Sequence, residues 1–113
     1  MDQLSIEIVP GNQPGVRLMK LAGPFTLATL FDFQNEVRDG SAPVTIIDLS
    51  GVPYMDSAAL GSILGFHASC HREGRRYGLV GVSERLRTLF RVAGVDEIVV
   101  VYSDMEQANA AIA

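Results

Sequence analysis

A chain of 113 residues with 48% hydrophobic and 19% charged residues carries enough apolar material for one core without cross-links, and is neither disordered nor a fibrous repeat. Its formal charge of −4 argues against a nucleic-acid binder, because the local basic cluster of Arg72, Arg75, Arg76, Arg85 and Arg87 is more than cancelled elsewhere. The lone Cys70 leaves no intramolecular disulfide and fits a reducing compartment, and no leader or apolar run of spanning length appears, so one cytoplasmic domain over residues 1–113, without membrane insertion, is expected.

Residues 4–9, LSIEIV, alternate apolar and polar as a strand with one wet face does. PGNQPG at 10–15 is a turn by composition, and VRLMKL at 16–21 alternates again, which predicts an antiparallel hairpin. Gly23-Pro24 breaks the second strand. Thr26 then suits the N-cap of a helix running to about Arg38, with Leu27, Leu30, Phe31, Val37 and either Phe33 or Gln34 near the core. The segment DGSAP at 39–43 ends it.

VTIIDL at 44–49 reads as a buried strand, and the turn SGVP leads to Tyr54-Met55-Asp56-Ser57. A helix with Leu60, Ile63, Leu64, Phe66, His67 and Ala68 follows at once; Arg72 lies in its last turn and Gly74 stops it. YGLVGV at 77–82 is a further apolar strand. Ser83 caps a short helix with Leu86, Leu89, Phe90 and Val92 on one face, closed by Gly94. IVVVY at 98–102 is the most buried-looking strand of all. Ser103 or Asp104 caps a final helix from Met105 to Ile112, with Met105, Ala108 and Ile112 inward. The order β-β-α-β-α-β-α-β-α predicts an α/β fold: a mostly parallel sheet of four to five strands in sequential order, an antiparallel first strand and about four helices.

The strand-turn-Asp-Ser-helix pattern places one hydroxyl at a helix N-terminus, where unpaired N–H groups and the dipole favour an anion. Asp56 and Ser57 also each suit a plain N-cap. His67 and His71 lie four apart beside Cys70, but no metalloprotease glutamate follows His67 and no third ligand is near, so no metal is expected. Asp48 and Asp56 lack a nucleophile or base to complete an acid–base set, and read as structural. Gly61 and Gly65 are expected to let their helix pack closely on the sheet. With no phosphate-cradling loop bearing a lysine and no dinucleotide fingerprint, the chain reads as a binding module without a cofactor, not an enzyme.

Two separated segments, IIDLSGVPYMDSAALGSILG and GLVGVSERLRTLFRVAGVDEIVVVYSDMEQANAAI, resemble the STAS domain in order, spacing and apolar positions. This is the fold of bacterial anti-sigma factor antagonists and of sulphate-transporter tails, and the resemblance covers nearly the whole chain. It implies that Ser57, directly after Asp56, is phosphorylated by an anti-sigma factor that is also a serine kinase. The unphosphorylated domain would bind that kinase and free a sigma factor, the phosphorylated one would release it, and a phosphatase would reset the switch. The expected partner surface comprises Phe25, Tyr54, Met55, Asp56, Ser57, Ala58 and Ala59, with Phe25, Tyr54 and Met55 supplying apolar contact. The chain departs from the antagonists in carrying Ala58-Ala59 where they more often have Ser or Thr followed by Gly. It also has Pro24-Phe25 where they usually carry acidic residues. The resemblance equally admits a STAS accessory subunit of a membrane transport or lipid-trafficking complex, in which Ser57 only caps. The oligomeric state is open.

Overall fold

The computed structural model describes residues 3–38 and 42–112. Among these, the elements follow as β1 (Ser5–Pro10), β2 (Val16–Ala22), α1 (Leu30–Val37), β3 (Val44–Gly51), α2 (Ser57–Glu73), β4 (Arg76–Val80), α3 (Glu84–Val92) and α4 (Met105–Ile112). The sheet runs in the order β1-β2-β3-β4, with β1 antiparallel to β2 and the other pairs parallel, as the order of elements predicts. The period of two sends Met19, Leu21, Ile47, Leu49 and Leu79 to one face, where they join Phe33, Ile63, Phe66, Leu86 and Phe90 of α1, α2 and α3 in the main core. Val16, Ile46 and Val80 face the other way, against Ala108, Met105 and Ile112 of α4. Asp104 rather than Ser103 caps α4, its Oδ1 accepting the Gln107 N–H at 2.8 Å.

The expected fifth strand is reduced to an isolated parallel bridge between Leu79 and Val101. The Ile98 N–H and the Val99 N–H both bond back to the Val95 carbonyl, so a helical turn takes up the first half of the apolar run and leaves Ile98 exposed. Only then do the Leu79 N–H meet the Val100 carbonyl and the Tyr102 N–H meet the Leu79 carbonyl, each at 2.8 Å. An apolar run shows burial; it does not show where a turn ends.

The first helix also starts later than predicted. The Thr29 hydroxyl accepts the Thr26 N–H and donates to the Pro24 carbonyl, closing a turn over residues 26–29, and α1 begins at Leu30. Leu30 and Phe33 are buried as expected, but Leu27 and Phe31 are about three-fifths exposed, not in the core. Val92, expected on the inner face of α3, is likewise exposed, because Leu86 and Phe90 already complete that helix's buried stripe. In β2 the alternation conceals Arg17, which is buried: its Nε donates to Thr45 Oγ1 at 2.8 Å and its Nη1 to the Glu36 carbonyl. That places a cation at the negative end of α1, whose last turn has no basic residue of its own.

Gly74 and Gly94, both left-handed, stop α2 and α3 where predicted. The following N–H groups of Arg75 and Val95 bond back to Cys70 and Phe90. Gly61 and Gly65 do not pack on the sheet. Both are exposed, and a Cβ at either would meet nothing within 4 Å. A glycine in a helix interior costs about 0.8–1.0 kcal/mol relative to alanine, and here no packing in the fold offsets it. Gly61→Ala and Gly65→Ala should therefore each raise the melting temperature, by roughly 3–6 °C for a domain of this size, as read by calorimetry.

Candidate functional site

The site is built where the chain leaves the carboxyl ends of β2 and β3. Past those strands the two exits remain paired: Phe25 and Met55 form a parallel bridge, the Phe25 N–H donating to the Tyr54 carbonyl at 3.0 Å and the Asp56 N–H to the Phe25 carbonyl at 3.3 Å. Pairing imposes the strand's alternation, so Phe25 and Met55 point inward and are buried, while Tyr54 between Pro53 and Met55 points out and is exposed. The expectation that Phe25 and Met55 supply apolar surface is thus corrected. Phe25 lies edge-on to Phe33, ring centroids 5.1 Å apart, inside the core. Ala59 is corrected with them, being fully buried in the first turn of α2, and Ala58 is half-buried against the core.

Asp56 is the N-cap of α2 and does more than cap. Its Oδ1 accepts the Ala59 N–H at 2.9 Å, and its Oδ2 accepts the Leu27 N–H at 3.0 Å, which ties the turn before α1 to the start of α2. Ser57 is the first residue of α2 and is exposed. Because a carboxylate already serves the helix N-terminus, the fold does not require the Ser57 hydroxyl there. Asp48, within β3, accepts the Ser50 N–H near the end of the same strand, which is a structural task.

Two neighbours of this point were not expected from the sequence. The Arg85 guanidinium, from the first turn of α3, lies over the Tyr54 ring at 5.6 Å and holds that exposed ring in place. Leu27 is the other, tethered through its N–H to Asp56 and exposed. No local pattern marks Arg85, since the loops after β3 and β4 meet only in three dimensions. Leu27 was legible in principle: Leu30, Phe33 and Val37 already complete a helical stripe without it.

His67, Cys70 and His71 line one cavity beside Tyr77 but are not placed to hold a metal together. His67 Nδ1 lies 2.9 Å from the Tyr77 hydroxyl, which also accepts the Val100 N–H at 3.2 Å; Cys70 is buried and His71 exposed. Among the described residues no group of three or more His, Cys, Asp or Glu side chains is placed to hold a metal. Burial pushes the Cys70 thiol up, with the nearby Arg75 charge opposing, and burial likewise pushes the Tyr77 phenol up against the Val100 hydrogen bond. Both groups are thus held neutral in the fold and ionise more readily once unfolded. Their stabilisation is complete below about pH 8.5, where the unfolded thiol begins to ionise, and is lost as pH rises through the folded values. The urea midpoint should fall between pH 8 and about pH 10, and Cys70→Ala should flatten the earlier part of that fall.

Among the described residues no helix is long and apolar enough to cross a membrane. Comparison with known proteins finds an anti-sigma-B factor antagonist of Listeria monocytogenes 38% identical over 64 residues, 57% of this chain and 54% of that protein. The chain thus aligns with about half the length of that curated relative. A crystal structure of an anti-sigma factor antagonist from Mycobacterium paratuberculosis superposes with a TM-score of 0.80 at 22% identity, covering 96% of this chain and 94% of the other. The Bacillus cell fate determinant SpoIIAA in its phosphorylated form superposes with a TM-score of 0.72 at 16% identity, covering 96% and 100%. Likeness at such identity shows a shared fold. The STAS domain family itself matches residues 7–108, nearly the whole chain, including β2, β3, α2 and the Asp56-Ser57 junction. The chain belongs to the STAS domain family.

Proposed function

We propose that this chain is an anti-sigma factor antagonist working as a phosphorylation-controlled partner switch at Ser57. The observation that carries the reading is the division of labour at the start of α2. Asp56 caps the helix, and Ser57 beside it is exposed, so its hydroxyl is available to a kinase without loss of the fold. The curated relatives named anti-sigma-B factor antagonist support the same reading. The partner is an anti-sigma factor with serine kinase activity, acting in the cytoplasm, and a phosphatase resets the switch. In the transfer the Ser57 Oγ attacks the γ-phosphorus of ATP, the bond from that phosphorus to the bridging oxygen breaks, ADP leaves, and the hydroxyl proton passes to a base on the kinase. The phosphoserine adds roughly −1.5 to −2 charges at a helix N-terminus, where the dipole favours them, so the domain stays folded while its surface there becomes more negative.

The test is incubation of the purified chain with ATP and a purified serine-kinase anti-sigma factor from the same genome, followed by mass spectrometry. One phosphate on Ser57 is expected, and none on Ser57→Ala. That variant should melt within about 1 kcal/mol of the parent, since Asp56 keeps the cap, and should stay bound to the kinase in the presence of ATP. Phosphate on Thr26 or Ser83 with Ser57 untouched would exclude the switch. A chain that neither binds nor is phosphorylated would favour an accessory STAS subunit.

A further inference from the structure

The shortened fifth strand leaves a gap at the outer edge of β4. The Arg76 N–H bonds to the Pro43 carbonyl on the β3 side, and the Leu79 N–H to the Val100 carbonyl on the other. Alternation therefore directs the Tyr77 N–H to the outer edge as well, and among the described residues nothing accepts it. A full strand would bring the Ile98 carbonyl there, but residues 98 and 99 are wound back onto Val95, and the Val100 N–H goes to the Tyr77 hydroxyl at 3.2 Å. The gap is a cavity of about 230 Å³, with His67, Cys70 and His71 on its α2 side. Arg76 and Tyr102 line it on the α4 side.

The polar groups in this cavity are donors. The Tyr77 oxygen accepts the Val100 N–H, so its proton goes to His67 Nδ1 at 2.9 Å, and His67 carries its own proton on Nε2. Arg76 gives one N–H to the Ala111 carbonyl at 2.9 Å, which holds the guanidinium and leaves its other N–H groups for a ligand. His71 is exposed on α2. Arg75 also lines the cavity, but its Nη1 is paired with Glu73 and its Nε with the Ala42 carbonyl, so it supplies no charge to a ligand. Among the described residues no carboxylate lines the cavity. The rest of the wall is Cys70, Val100 and the Tyr102 ring, which lies so close over Gly78 that a Cβ there would meet it at 2.5 Å.

We propose that this gap binds a small organic anion, a flat apolar body bearing one carboxylate. The carboxylate takes the Tyr77 N–H in place of the strand carbonyl, with Arg76 as its countercharge and His71 as a further donor. The body lies against Cys70, Val100 and Tyr102. Other occupants fit less well. The volume is below the roughly 300–1,000 Å³ of drug-sized ligand pockets, too small for a nucleotide or a long acyl chain. One open ladder position is too short to pair an incoming strand. A metal ion would meet an N–H on His67 and no carboxylate. Ser57 lies at the other end of α2, so this site does not depend on the antagonist reading.

The experiment is an amide NMR titration of the isotope-labelled chain with sodium benzoate at constant ionic strength. Benzamide serves as the uncharged isostere and inorganic phosphate as the bare anion. Benzoate should shift the amides of His71, Tyr77 and Val100 saturably and leave those of Leu27 and Ser57 in place. The Tyr77 amide should move downfield, the direction of a newly made hydrogen bond. Benzamide and phosphate should each bind at least about tenfold more weakly, one lacking the charge and the other the apolar body. Arg76→Ala should weaken benzoate by at least about tenfold, the lower end for a hydrogen bond to a charged group, and His71→Ala by at least about threefold. Leu27→Ala, at the other end of α2, should bind as the parent does. Melting curves on the same preparations show whether the variants are folded. If Arg76→Ala unfolds through its lost tie to Ala111, His71→Ala decides, and unchanged affinity there overturns the site. Equal binding of benzamide or phosphate overturns the ligand class. Shifts centred on Ser57, or no saturable shift at millimolar benzoate, overturn the site.

Discussion

Phe25→Ala should cost about 3–5 kcal/mol of stability, a large part of the 5–15 kcal/mol that a domain of this kind possesses. Phe25 is fully buried, edge-on to Phe33, which is in turn edge-on to Phe66 at 6.3 Å, so its ring links the exit of β2 to both α1 and α2. Deleting it removes the aromatic contact with Phe33 and leaves a cavity that the paired backbone of residues 25 and 55 cannot collapse into. Leu27→Ala, two residues along, should change stability by no more than about 0.5 kcal/mol, because that side chain is already mostly in water. Urea titration of the two variants side by side checks the pair. Equal, small losses would place Phe25 at the surface and reopen it as a partner contact.

This contrast between Phe25 and Leu27 also marks the limit of what the sequence shows. Periodicity was enough for the layout, because the alternation of β2 and β3, the caps at Asp56 and Ser83 and the stops at Gly74 and Gly94 are all local signals that the tertiary structure leaves intact. It failed where a long-range pairing decided the direction of a side chain. The Phe25–Met55 bridge is made between residues thirty apart, and it turns two apolar residues of apparent loops into core. The same holds for Arg17, which shares the strand face of Met19 and Leu21 but whose charge gives no sign of burial. Nothing within β2 reveals that the end of α1 lies overhead and accepts its guanidinium. The shortened fifth strand failed for another reason, since hydrophobic composition sets burial but not the length of a preceding turn. Ser57 and Asp56 were legible because a helix start is a local event. Tyr54, Arg85 and Leu27 around them form a set that only the folded chain brings together.

Ser57→Glu should weaken binding of the proposed kinase partner by at least about tenfold, equivalent to roughly 1.4 kcal/mol, with little change in melting temperature. A carboxylate in the first turn of α2 is favoured by the helix dipole and opposed by the neighbouring Asp56, whose two oxygens already hold the Ala59 and Leu27 N–H groups. These effects nearly offset one another in the isolated domain, so stability barely moves. In the complex the balance is different. The residue follows Asp56, whose carboxylate holds the N–H of the exposed Leu27, and lies three residues after the exposed Tyr54, whose ring is under Arg85. A partner covering that apolar rim would have to desolvate a second negative charge next to Asp56, and Arg85, directed at the Tyr54 ring, is positioned to fix the ring more than to receive the charge. The loss should therefore exceed that of Ser57→Ala, which removes the hydroxyl and adds no charge. Titration calorimetry against the kinase, with a melting curve on the same preparation, separates the alternatives. Affinity lost in proportion to stability would assign the effect to unfolding. Affinity retained at full stability would place the docking surface away from Ser57, and with it the switch.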